Sequence, residues 1–109
     1  MRRIMVVLLL LAGPAHGQDW APLTGPEIEA LLTDATVSYG TARQRFFPSG
    51  RTLYNAGRDS WGYWSVRGDQ YCSNWPPADR WDCYDMTASG EAVRFIDANG
   101  GITEGTRSR

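Results

Sequence analysis

From Ala35 onward, apolar and polar residues alternate with the period of two that a β-strand imposes, and turn residues interrupt the pattern at short intervals. The pattern predicts strands at Thr36–Tyr39, Arg43–Phe47, Thr52–Asn55, Gly62–Arg67, Gln70–Asn74, Trp81–Met86, Ala92–Asp97 and Ile102–Glu104. Gly40, Pro48-Ser49-Gly50, Ala56-Gly57, Gly68-Asp69, Pro76-Pro77, Ser89-Gly90 and Asn99-Gly100-Gly101 fall between them and have hairpin length. Seven or eight short antiparallel strands so linked make a mainly β fold, a meander curled into a small barrel or sandwich. Thr103 to Arg109 reads as a loose tail.

One helical stretch precedes the strands. Ile28, Leu31 and Leu32 recur at helical spacing, and Thr24 stands three residues before Glu27 as a capping box. Leu23 and Ile28 are placed as a hydrophobic staple, and Pro26 is tolerated in a first turn. These signals predict a short helix from about Gly25 to Thr33 with a single apolar stripe, a lid or plug on the sheet.

The central hairpin is specified most closely. With Gly68-Asp69 as the turn, Arg67 faces Gln70, Val66 faces Tyr71, Ser65 faces Cys72 and Trp64 faces Ser73. Gly62, Trp64, Val66 and Tyr71 then share the inward face. Tyr84 and Met86 are the apolar pair of the next strand, which turns Cys83 outward, the direction in which Cys72 also points. A Cys72–Cys83 disulfide between neighbouring strands is the expected result. It encloses Trp75-Pro76-Pro77.

The first residues carry a different message. Met1-Arg2-Arg3, the apolar run Ile4 to Ala12 and the small residues around Ala15-His16-Gly17 form a signal peptide, residues 1–17, with cleavage before Gln18. The run is too short to span a bilayer permanently. A single β-rich domain, residues 18–109, is then expected as a periplasmic or secreted protein, where oxidising conditions favour the disulfide. No stable membrane insertion follows signal removal.

Export alters the chemical inventory. The one histidine, His16, leaves with the signal, and the chain has no lysine, its eleven basic residues all being arginine. The remaining domain sets nine arginines against twelve acidic residues, a net charge of −3. With both cysteines paired there is no histidine or lysine base, no thiolate nucleophile and no histidine or cysteine ligand for zinc. No catalytic residue, metal or cofactor is assigned, and an acidic domain without a broad basic footprint does not suit nucleic acid.

Shorter motifs have plain structural readings. Arg67-Gly68-Asp69 spells an adhesion tripeptide but coincides with the hairpin turn. Asp79, Asp82 and Asp85 lack the alternate spacing of a calcium loop. Glu27 with Glu29, or Asp82 with Asp85, could pair as glycosidase carboxylates, yet they suit a helix first turn and a solvated strand. Charge is segregated: Arg43 to Arg67 carries five arginines and one aspartate, while Asp69 to Glu104 carries seven acids and two arginines. The basic half can face an anion, or the halves can pair across strands; the second is the expectation.

Thr24-Gly25-Pro26-Glu27-Ile28, Pro48-Ser49-Gly50-Arg51, the run Gly62-x-Trp64-x-Val66-x-Gly68-Asp69-x-x-Cys72-x-x-Trp75 and the second cysteine resemble a family of small exported bacterial domains of uncharacterised function. The resemblance covers nearly the whole exported part. It implies a compact antiparallel β-fold with one helix and carries no catalytic residue across. A dinucleotide fold is excluded, because no glycine-rich βα turn is present.

All thirteen aromatic residues lie after residue 17, more rings than so small a core needs. The first functional expectation is therefore a non-catalytic domain that binds a small ligand, glycan or protein of the envelope through an aromatic face. An inhibitor or accessory subunit of another exported protein is the second, and a minimal carboxylate-based hydrolase the third. The candidate binding residues are Trp75 and Trp81, which flank the prolines between the cysteines, and Arg80 beside them.

Overall fold

A computed structural model describes residues 19–109; the expected signal peptide, residues 1–17, and its cleavage point lie outside the described residues. The chain forms β1 (Ala21–Pro22), α1 (Gly25–Leu32), β2 (Thr36–Ser38), β3 (Arg43–Phe46), β4 (Arg51–Asn55), β5 (Asp59–Arg67), β6 (Gln70–Asn74), β7 (Asp82–Ser89), β8 (Ala92–Ile96) and β9 (Ile102–Ser108). Strands β2 to β9 pair antiparallel in chain order, and β9 returns to β2. The result is a closed eight-stranded meander barrel, which leaves no open edge between its strands. Of the two architectures the alternation allowed, the barrel is the one that forms.

The central hairpin has the register that its turn dictates, with Arg67 opposite Gln70, Val66 opposite Tyr71 and Ser65 opposite Cys72. Cys72 and Cys83 stand directly opposite on β6 and β7 and are joined, with an S–S distance of 2.05 Å. Strand β1 pairs with Thr87 and Ala88 of β7, beyond the part that β6 reaches. Its two residues are too few to announce themselves by alternation.

Thr24 caps α1 with the full capping box: its hydroxyl accepts from Glu27 N at 3.4 Å, and its own N–H donates to Glu27 Oε1 at 2.9 Å. The Gly25 N–H donates to Asp69 Oδ1 at 2.7 Å, so the β5–β6 turn holds the helix N-terminus. A Cβ on Gly25 would overlap the Gly68 carbonyl oxygen. The adhesion-like tripeptide is thus spent on turning the chain and anchoring the helix.

The expected loose tail is instead ordered. Strand β9 runs to Ser108, pairs with β2 and β8, and closes the barrel. Arg107 Nε donates to the Leu31 carbonyl at 2.6 Å, and Arg109 donates to Ala30 O at 2.6 Å and Thr33 O at 3.2 Å. These bonds satisfy carbonyls that a helix C-terminus leaves free. A polar tail offers no hydrophobic signal, yet closure and the open helix end give its backbone and arginines partners.

Helix α1 therefore plugs one end of the barrel. Ile28 and Leu32 enter the interior beside Val37, Phe46, Trp64, Met86 and Val93, all buried. Phe46 meets Trp64 and Tyr71 edge-on at 5.6 and 5.8 Å. Trp64 Nε1–H, which burial would otherwise orphan, donates to Phe47 O at 2.9 Å.

The expected pairing of basic and acidic halves does not occur. Of four ion pairs among the described residues, only Arg45–Asp34 uses an arginine from the Arg43–Arg67 stretch, and Asp34 precedes that stretch. Closure is the reason: strands β3 to β5 lie across the barrel from β7 to β9, so the halves face away from each other.

Candidate functional site

At the end opposite α1 no element among the described residues fills the barrel, and a cavity of about 430 Å³ opens there. An eight-stranded barrel is just wide enough to be filled by side chains or to hold one small ligand. This chain does the first at one end and leaves room for the second at the other. Six of the ten lining residues are aromatic: Tyr39, Tyr54, Tyr71, Trp75, Tyr84 and Phe95. Gln44, Ser60, Ser73 and Thr103 complete the wall, which contains no charged side chain.

Tyr71 forms the floor, with its ring 5.2 Å from Phe95, 5.8 Å from Phe46 and 5.9 Å from Tyr84. Beside it the buried polar groups are joined. Tyr39 O–H donates to Gln44 Oε1 at 2.9 Å, and Gln44 Nε2 donates to Thr52 Oγ1 at 3.0 Å and to the Tyr71 hydroxyl oxygen at 3.2 Å. The Thr52 hydroxyl in turn donates to Arg45 O at 2.8 Å. Among the described residues Gln44, Thr52 and Ser73 are the buried polar residues; Gln44 and Ser73 line this cavity, and Thr52 is bonded to Gln44. Polar groups are costly in a small core, and their concentration at one place makes this cavity the candidate site.

Trp75 covers the rim. Its indole N–H donates to Ser73 Oγ at 3.2 Å, and its ring meets Tyr54 edge-on at 6.2 Å. The indole lies over Gly62, where a Cβ would come within 2.6 Å of Trp75 Cε3. Glycine is required there by this approach, since any side chain would lift the indole off the strand.

Burial pushes the Tyr71 phenol up to about 12. Tyr39 and Tyr84 are also raised, first by burial and then by neighbouring ionisable groups. At neutral pH these groups are uncharged hydroxyls, able to donate and accept hydrogen bonds but poor as bases or nucleophiles. A charged ligand would give up its hydration here without meeting a countercharge.

The three sequence-derived candidates are not brought together. Trp75 lines the cavity, whereas Arg80 and Trp81 border an open depression of about 560 Å³ on the outer face of β7 and β8. Arg80 pairs with Asp82 at 3.3 Å, and the Arg67 guanidinium lies 4.2 Å from the Trp81 ring centre. The period of two separates them: Trp75 continues the inward set of β6, Tyr71 and Ser73, whereas Trp81 continues the outward set of β7, Cys83 and Asp85.

Comparison with protein-family models, curated proteins and solved structures finds no match for this chain. The functional reading therefore rests on the site itself. Its central residues, Gln44 and Tyr71, carried one legible signal. Gln44 interrupts the inward positions of β3 with a polar amide, between outward Arg43 and Arg45.

Proposed function

We propose that this chain is an exported, non-catalytic binding domain that holds a small, uncharged, ring-bearing molecule in the open mouth of its barrel. The observation that supports this reading is the half-filled interior: one end sealed by α1, the other lined by six rings around a buried amide. A volume of about 430 Å³ lies within the range of roughly 300–1,000 Å³ usual for ligand pockets. Rings of the ligand pack on Tyr54, Tyr84 and Trp75, and phenolic hydroxyls bond its polar atoms. Export is supported by the paired cysteines, which belong to oxidising compartments. Among the described residues no helix is long and apolar enough to cross a membrane.

The test is titration with an uncharged naphthalene ketone dye whose emission shifts blue on leaving water. Saturable binding that quenches tryptophan emission is expected. Thr103→Trp, a change at an exposed wall position, should block the mouth and weaken binding by about tenfold or more without unfolding the barrel. Dye binding that ignores both Thr103→Trp and Trp75→Ala would remove the mouth as the site.

A further inference from the structure

A second surface lies outside the barrel and is independent of the mouth. On the outer face of β3, β4 and β5 the register sets Arg45, Leu53 and Trp61 in one cross-strand row. Phe47, Arg51 and Tyr63 form the next, Phe47 N donating to Arg51 O at the end of the hairpin. Rings and guanidinium groups alternate diagonally between these rows.

The contacts join them into one layer. The Arg51 guanidinium stands 4.5 Å from the Trp61 ring centre and 5.7 Å from that of Tyr63. Arg45 lies 5.2 Å from Phe47, and Phe47 stacks with Trp61 at 5.8 Å and 29°. Trp61 and Tyr63 are nevertheless each 45% exposed, two of the four exposed large apolar residues among the described residues. Arg51 has no carboxylate within ion-pair reach among these residues, and no acidic residue occupies either row.

A guanidinium resting over ring faces engages them through its π face, and its N–H donors match a carboxylate with two parallel hydrogen bonds. The rings restrict its rotamers before any partner arrives, which lowers the ordering cost of binding. Tryptophan, tyrosine and arginine without lysine or acids is also the composition of an interface centre rather than of an ordinary solvated sheet face. Of the chain's own acids near this face, Asp34 pairs with Arg45 at 3.5 Å and Asp59, farther along β5, accepts from Asn55 Nδ2 at 2.7 Å, so neither pairs with Arg51.

We propose that the outer face of β3–β5 docks an extended acidic segment of another protein, with a carboxylate seated on Arg51 and apolar side chains against Trp61 and Tyr63. Charge complementarity selects an acidic partner. A strand surface whose rings lie beside guanidinium groups suits an extended chain better than a lipid bilayer.

The probe is a fluorescein-labelled peptide of alternating glutamate and leucine, read by anisotropy against the full folded domain. Saturable binding is expected, weakened about tenfold by Arg51→Ala and by Trp61→Ala, and weakened less by Arg51→Lys, which keeps charge but loses the fork. The glutamine counterpart of the peptide should bind at least about tenfold more weakly, and raising salt from about 50 to about 300 mM should weaken the glutamate peptide. Arg51→Glu, an exposed change that leaves the core untouched, keeps the test decisive if Trp61→Ala fails to fold. Absence of saturable binding, equal binding by Arg51→Glu, or binding to phosphatidylglycerol vesicles in place of the peptide would overturn the proposal. Failure here leaves dye binding at the mouth intact, so the two readings stand or fall separately.

Discussion

The two ends of this barrel are built by the same strands and the same alternation, yet one is a core and the other a cavity. At the α1 end the inward positions are Val37, Phe46, Trp64 and Met86, and the helix adds Ile28 and Leu32 to fill the remaining space. At the mouth the lining is aromatic rings, an amide and small hydroxyl residues, and no other element among the described residues is inserted between them. The difference shows how a small β domain divides its interior: stability is concentrated where a helix excludes water, and recognition where polar groups are buried but space remains.

That division is broken most directly by cutting into each end in turn. Phe46→Ala, at a fully buried position of the sealed end, should lower unfolding free energy by about 3–5 kcal/mol in urea titration. Tyr84→Phe at the mouth should cost less than about 1 kcal/mol, since its ring packing is kept and only the hydroxyl is lost. Equal losses at the two positions would mean that the mouth is simply more core.

The Cys72–Cys83 bridge spans 11 residues of sequence and, in the chain-entropy account, stabilises by about 3 kcal/mol. Replacing both cysteines by alanine should lower the melting temperature accordingly. Because the bridge joins β6 and β7 close to Ser73 and Tyr84, it should also loosen the mouth more than the sealed end. Hydrogen exchange at Tyr84 against Val37 would display that inequality.

Alkali separates the ends chemically. The Tyr71 phenol is neutral when protonated, and its folded value of about 12 exceeds the unfolded value near 10, so the native state holds its proton more tightly. Stability is fully present below about pH 10 and falls as pH rises from there through about 12, by roughly 2–3 kcal/mol for this group. Tyr39 and Tyr84 act in the same direction. Melting temperatures taken alongside phenolate absorbance should show the decline, and Tyr71→Phe should make it shallower.

The smallest expected change in stability is the most informative about the site. Gln44→Leu removes an amide that the fold has to satisfy, and its effect on stability should stay within about 1 kcal/mol. Dye affinity should nonetheless drop by about tenfold, because Tyr39 and Tyr71 lose the group that orients them. Loss of folding with affinity retained would reassign Gln44 to structure.

How much of this was legible depends on the range of each interaction. The helix, its capping box, the Gly68-Asp69 turn, the hairpin register and the outward facing of both cysteines were readable, since each rests on residues a few positions apart or on the strict period of two. The Trp75 part of the candidate site was readable as an aromatic beside a disulfide. That Trp75 lines the cavity while Arg80 and Trp81 border the outer depression was not readable, because closeness along a loop says nothing about which side of a barrel wall each side chain takes.

The sequence by itself determined that the domain is a β meander with one helix and one bridge, and which residues of its central strands point inward. Tertiary structure alone decided which inward positions are filled and which are left open, that β9 closes the ring, and that the basic and acidic faces lie on opposite sides. Alternation encodes the side of a strand on which a residue lies. It does not encode height along the barrel axis or which strands stand opposite each other, and those depend on closure and on where the helix comes to rest.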